Sequence, residues 1–336
     1  MKLNLTLALS ACLALVCSPL NAASKDLTAW IIDVEGGQST LFLTPSGETV
    51  LIDTGNPGDR DANRIMKVVK EAGVKQIDYL IITHFHGDHV GGVAALAPQI
   101  PIHTFIDHGT SVETTDAAKK TYADYLAIAS KAKHIVAKPG DKLPVKGLDW
   151  TIVAAAGNAI DKPLPGAGKP NPACADFKPK DPDPTENAQS TGSVVTFGRF
   201  RLVDLGDLTW NKEQNLVCPV NKIGEAQVFI VSHHGLNISN SAALVNAIHP
   251  QVALMDNGEK KGGTIEALDT IKASPGLVDL WQSHYSAVGG KEHNAADANI
   301  ANMSTEGDPA NYLKLVAHKD GHFEVTNPRT GQTKKY

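Results

Sequence analysis

Thr83-His84-Phe85-His86-Gly87-Asp88-His89-Val90-Gly91-Gly92 is the stretch that decides the fold of this chain. Four metal-capable side chains, His84, His86, Asp88 and His89, fall within six residues. They follow Ile77-Asp78-Tyr79-Leu80-Ile81-Ile82, an apolar run that reads as a buried strand. A strand that opens into a short loop aims closely spaced side chains at one point. Imidazole together with carboxylate suits zinc or a similar divalent ion. Two histidines at i and i+2, then an adjacent Asp-His pair, suit two ions side by side. His84 and His86 would serve one ion, and Asp88 and His89 the other. The plain alternative is a solvated His-rich loop. It does not account for the hydrophobic strand in front or for Gly91-Gly92 behind.

Working outward, residues 29–34, 39–43 and 49–52 read as three short strands with Gly- or Pro-bearing turns. Residues 60–72 carry a helical face of Ile65, Val68, Val69 and Ala72 and end at Gly73. After the metal loop come a short helix, a strand at 102–106 and a helix at 115–132. Gly192 to Asp204 reads as a hairpin around Gly198-Arg199. Gln227 to Ser232 is a strand that ends at His233-His234. Helix and strand then alternate over 240–248, 252–255, 264–273 and 277–282, and 313–317 with 323–326 closes the chain as a strand pair. Residues 158–191 differ, with seven prolines between Pro163 and Pro184. This is a long loop, and both a functional lid and a solvated insertion remain open for it.

Three further marks stand in a fixed order around the loop: Leu51-Ile52-Asp53-Thr54-Gly55, Leu205-Gly206-Asp207 and His233-His234-Gly235. Together with His84-x-His86-x-Asp88-His89 they resemble the signature of the metallo-β-lactamase superfamily. The resemblance implies an α/β (α+β) fold, a four-layer αββα sandwich of two mixed sheets with helices outside and the site at one edge. It also implies a binuclear centre, with His84 and His86 on one ion, Asp88 and His89 on the other, and Asp207 bridging. His233 or His234 would complete the second ion, and the sequence does not choose between them. The histidine left over would orient a ligand or protonate a leaving group, so Asp88, His233 and His234 are the catalytic candidates. Asp53 would organise the loop by accepting backbone hydrogen bonds. Two divalent ions about 3.5–4 Å apart share a water and lower its pKa, and the resulting hydroxide attacks a carbonyl or a phosphorus.

Many members of that superfamily carry another histidine before the bridging aspartate. Here no histidine lies between His134 and Asp207, and Glu186-Asn187-Ala188-Gln189-Ser190 stands in its place. The Asn187-x-x-Ser190 pattern, then Gly-Asp, then His-His-Gly, is similar to the hydrolase domain of ComEC-type DNA-uptake proteins. Asp33-Val34 followed by Gly37-Gln38 resembles that group's opening motif. The resemblance is to a soluble, exported relative, because the membrane channel of those proteins has no counterpart in this sequence. It implies a metal-dependent hydrolase acting on phosphodiester or nucleotide substrates. Hydrolysis of a β-lactam or lactone is the alternative, and a non-catalytic metal-binding protein is the third reading. Zinc is the expected metal, and losing an imidazole brings manganese in beside it.

The 336 residues are 42% hydrophobic and 20% charged, with a net charge of −5. No basic tail or Lys/Arg-rich helix marks a strong nucleic-acid-binding patch, so a small-molecule or short phosphodiester substrate fits better. Residues 1–22 read as a secretory signal, with Lys2, the apolar run Leu3 to Val16, and small residues before Ala23. Cys12 also sits in a lipoprotein-like box. The expectation is an exported chain, periplasmic or secreted. It would consist of one domain over 23–336 with the Pro-rich insertion at 158–191 and no transmembrane segment once the signal is removed. Cys174 and Cys218 remain as an even pair, which in an oxidising compartment favours a disulfide. No pattern fixes an oligomeric state. Further candidates for substrate contact are His108 at a strand end, Lys261 in the Asn257-to-Gly263 loop, and His284 after another strand.

Overall fold

Alternation along the strands sets the layers. In Leu27–Ile31 (β1), Leu27, Ala29 and Ile31 point into one apolar cluster and Trp30 into another. Side chains of a strand alternate between faces, so a sheet with both faces covered needs apolar residues at every position. The computed structural model describes residues 26–306 and 310–336, so the secretory signal read at 1–22 lies outside the described residues.

Among the described residues, the first sheet continues through Thr40–Leu43 (β2), Thr49–Ile52 (β3), Ile77–Ile81 (β4), Ile102–Asp107 (β5) and Lys133–Val136 (β6). The second contains Lys142–Leu143 (β7), Asp149–Ala155 (β8), Asn158–Ala159 (β9), Gly192–Phe197 (β10) and Phe200–Asp204 (β11). Val228–Ile230 (β12), Val252–Met255 (β13), Asp279–His284 (β14) and Ile300–Asn302 (β15) complete it. Leu313–Ala317 (β16), Phe323–Asn327 (β17) and Gln332–Lys335 (β18) return to the first sheet. Its order is β18-β17-β16-β1-β2-β3-β4-β5-β6. The second runs β15-β14-β13-β12-β11-β10-β8-β7, with β9 against β8.

The two sheets face each other across Ile31, Phe42, Ile52 and Leu315 on one side and Trp150, Val195, Leu202, Ile230 and Trp281 on the other. The outer face of the first sheet is covered by Asp59–Glu71 (α1), Gly87–Val90 (α2), Val93–Leu96 (α3) and Asp116–Ala129 (α4), through Ile65, Val69, Val90, Leu96 and Tyr125. Trp210–Val217 (α5), Ala242–Ile248 (α6) and Ile265–Lys272 (α7) cover the second through Leu216, Leu244, Ile248, Leu268 and Ile271. This is the expected αββα order. One interior strand, β8, escapes the sequence pattern: Trp150 to Ala155 is apolar except for Thr151 and is buried at every position.

β3, β4, β5 and β6 are parallel, as are β11 through β15. Loops at the carboxyl ends of parallel strands are where α/β folds place their ligands. The Pro-rich segment lies as a strap beside α5. Cys174 is disulfide-bonded to Cys218, Trp210 Nε1 donates to Lys178 O, and Asn211 exchanges hydrogen bonds with the Lys180 backbone.

Candidate metal centre

Five strand ends, or the turns after them, feed the centre. Asp53 follows β3, the His84-to-His89 loop follows β4, and Asp207 follows β11. His233 and His234 follow β12, and Asp256 follows β13. Close backbone approach holds these turns together. A Cβ on Gly92 would lie 2.1 Å from Thr54 O, and one on Gly206 would lie 2.8 Å from Thr83 Cβ. Only glycine fits such contacts. Asp53, His233 and His234 adopt left-handed backbone at φ 55°, 53° and 53°. Side chains held there at a cost of about 1 kcal/mol or more per residue are a mark of functional turns. His233 N donates to Gly206 O and Gly263 N to His234 O, which fixes the turn from both sides.

Asp207 Oδ2 is the focus. It lies 3.2 Å from His89 Nε2, 3.4 Å from His233 Nε2, 3.4 Å from His234 Nε2 and 3.8 Å from His84 Nε2. Asp88 Oδ2 lies 3.5 Å from His89 Nε2 and 3.4 Å from His234 Nε2. One donor atom each from Asp88, His89, Asp207 and His234 falls within 4.8 Å of the others. The adjacent histidines thus part company. His234 joins the Asp88 and His89 group, whereas His233 approaches Asp207 from the side of Asn187, whose Nδ2 is 3.4 Å away. His86 sits farther out, its ring 4.7 Å from that of His84 and its Nε2 3.2 Å from Glu113 Oε1.

Outer partners fix which nitrogen faces inward. His89 Nδ1 lies 2.7 Å from Asp53 Oδ2, and His234 Nδ1 lies 3.2 Å from Asp256 Oδ1. Thr83 Oγ1 donates to Asp53 Oδ2 and lies 3.1 Å from His84 Nδ1. A carboxylate on one imidazole nitrogen aims the other nitrogen's lone pair at a metal. The Nε2 atoms of His89 and His234 consequently face each other at 3.2 Å. Two lone pairs at that distance require a positive charge between them or close by. His84 Nε2 and Asp207 Oδ1 are buried with no hydrogen-bond partner. This donor set fits divalent ions.

The electrostatics agree. Burial depresses the imidazoles of His89 and His234, but the neighbouring carboxylates, Asp207 foremost, outweigh it and hold both well above the ordinary histidine value. Burial and the His89 charge push His84 well below it. Burial alone would raise Asp207, yet His234, His89 and His233 hold it well below the carboxylate range. An imidazole must be deprotonated to hold a metal, so metal binding at His89 and His234 would compete with protons and would be pH-dependent.

The remaining candidates divide. Lys261 reaches the centre and pairs with Asp88 Oδ2. His108 does not face the mouth: it is buried, with Nε2 2.8 Å from Glu186 Oε2. His284 is also buried, with Nε2 2.8 Å from Asp33 Oδ2, and has no open side for a substrate. The strand-end positions are as expected, but a carboxylate waits for each imidazole inside the protein. Asp33, Glu35 and His284 form a second cluster, in which the Arg64 guanidinium already bonds both carboxylates, at 3.2 and 2.9 Å. Ser190 is buried, and its Oγ has no partner.

Glu186 was not singled out by the sequence reading. It is fully buried, and its Oε2 accepts from Phe85 N at 3.0 Å and pairs with His108. Its Oε1 accepts from Ser111 Oγ and Val112 N. Burial would raise it, but the His108 imidazole and these donors hold it below its usual value. Phe85 lies between His84 and His86, so Glu186 anchors the metal loop to the end of the strap.

Comparison with known proteins agrees with this geometry. A family model described as the metallo-beta-lactamase superfamily matches residues 33–170. Competence protein ComA of Neisseria gonorrhoeae is 25% identical over 240 residues, covering 71% of this chain and 28% of that protein. ComE operon protein 3 of Bacillus subtilis is 24% identical over 246 residues, covering 68% and 28%. Ribonuclease Z of Clostridioides difficile is 36% identical over 62 residues, 18% of this chain and 19% of that enzyme. The chain therefore spans less than a third of the length of each of these relatives. With the metal loop inside the matched stretch and two sheets layered between helices, the chain has the metallo-β-lactamase fold and carries a stretch, residues 33–170, that matches the metallo-beta-lactamase superfamily model, and its relatives at low identity include the competence proteins.

Proposed function

We propose that this superfamily hydrolase uses two divalent ions to cleave small phosphodiester or nucleotide substrates. The observation that carries the reading is Asp207 Oδ2 set among four inward-facing imidazole nitrogens, with Asp88 beside two of them. His84, His86 and His233 would hold one ion, Asp88, His89 and His234 the other, and Asp207 both. Five imidazoles favour zinc, with manganese as the second choice. When bound, the ions would lower the pKa of a water and hold the negative charge that develops on the attacked centre.

The chain's own groups do the rest. Asp53 and Asp256 fix the imidazoles of His89 and His234. Thr83 ties Asp53 to His84. Asn187 holds its amide against His233 and supplies a donor beside it. His86 and Lys261, with side chains 30% and 43% exposed, form the rim where substrate enters.

Phosphodiesters are favoured over β-lactams by the absence of a histidine between His134 and Asp207. The ribonuclease Z and competence-protein relatives point the same way. The net charge of −5 favours a short diester over long DNA. No helix among the described residues is long and apolar enough to cross a membrane. The Cys174–Cys218 disulfide supports an exported location. The test is metal content of the purified protein, followed by turnover of bis-p-nitrophenyl phosphate and nitrocefin in parallel. Two metals per chain with diester turnover alone is the expected result. Nitrocefin turnover alone would replace the phosphodiester reading with the β-lactam one.

A further inference from the structure

We infer that Lys261 is an anion clamp: its ammonium takes a non-bridging oxygen of the substrate phosphoryl group and so selects anionic diesters over neutral esters. The inference rests on the hydrolytic reading of the centre and deepens it. Lys261 Nζ pairs with Asp88 Oδ2, the same oxygen that lies within 3.5 Å of His89 Nε2 and His234 Nε2. A divalent ion held by those three groups would bring its charge against the ammonium, and like charges a few ångströms apart repel. The ammonium would then leave Oδ2 while staying at the site. Its backbone is fixed, because Gly258 N donates to Lys261 O at 2.8 Å and Gly263 N to His234 O at 2.9 Å. Its stem packs on Gly36.

The side chain beyond that anchor is 43% exposed at the rim. With a divalent ion beside Asp88, the Lys261 ammonium would be a tethered positive charge with no carboxylate to itself. A phosphoryl oxygen is the chemistry that completes it, as a charge-assisted hydrogen bond. A neutral ester offers no such oxygen.

The experiment compares metal-loaded wild type, Lys261→Met and Lys261→Arg. It reads metal content, inorganic phosphate binding by calorimetry, and kcat and KM for bis-p-nitrophenyl phosphate and p-nitrophenyl acetate. Metal content should match in all three. Lys261→Met should weaken phosphate binding and raise the diester KM by about 10- to 100-fold, with the acetate KM within about twofold of wild type. Lys261→Arg should restore most of the loss. Unchanged phosphate binding in Lys261→Met overturns the clamp, and so does metal loss or a parallel fall on both substrates. Failure of the hydrolytic reading shows separately, as a wild-type protein that binds metal and phosphate but turns over no diester.

Discussion

Glu186→Ala removes one buried carboxylate and four hydrogen bonds at once. Two of the donors, Phe85 N and His108 Nε2, belong to fully enclosed residues that water cannot reach. A buried donor stripped of its acceptor costs about 1–3 kcal/mol, so the pair should cost about 2–6 kcal/mol. Ser111 and Val112 lie nearer the surface, where water replaces the lost oxygen at little cost. The second effect is positional: Phe85 separates His84 from His86, and a loosened Phe85 frees both imidazoles. Loss of a supporting partner of this kind typically lowers metal affinity about 10- to 100-fold. Glu186→Gln should fall between, because its one oxygen serves one pair of donors while its amide faces the other. The assay is urea unfolding of the metal-free protein together with zinc titration against a chelating dye. If Glu186→Ala unfolds within about 0.5 kcal/mol of wild type and binds zinc as tightly, the anchoring role is wrong.

Asp256→Asn should turn the His234 ring and weaken zinc binding by about 10- to 100-fold, and an unchanged dye-competition curve would exclude that orienting role. The Cys174–Cys218 bridge spans 44 residues, so Cys174→Ser with Cys218→Ser should lower stability by roughly 4 kcal/mol in urea melts, and an unmoved midpoint would refute the chain-entropy argument. Asp204 is pushed up to about 7 by burial, against hydrogen bonds from Gly206 and Gln38. The folded state therefore keeps this proton from about pH 4 to pH 7 while the unfolded chain loses it, so stability should fall across that window by up to about 4 kcal/mol and level off above. In Asp204→Asn the Gln38 amide can rotate to present its oxygen, and the stability difference from wild type should widen from pH 4 to pH 7. A constant difference would contradict the assignment.

The parts of the site that were legible in the sequence are those written locally. His84 to His89 share one loop, Gly206-Asp207 and His233-His234 each end a strand, and the strand-loop order is visible as apolar runs followed by polar turns. The residues that hold them were not, because their partners are remote. Glu186 meets Phe85 across 101 positions, and Asp33 meets His284 across 251. No local pattern records such a pairing, so His108 and His284 looked like mouth residues when each was already spoken for. The split between His233 and His234 is likewise invisible in a His-His pair, since it arises from the left-handed turn that sends one ring toward Asp256 and the other toward Ser239. β8 was missed for another reason: a strand covered on both faces loses the alternation that identifies strands.

The pairing of β1 with β16 has a consequence for synthesis. Leu27 meets Ala317, a partner made 290 positions later. At about 5–20 residues per second, the edge of the first sheet stays open for roughly 15 to 60 seconds on the ribosome. An unpaired, apolar strand edge is a template for the wrong chain. The nascent protein must be shielded for that interval, and losing β16 to β18 together would leave the finished molecule with the same exposed β1 edge permanently.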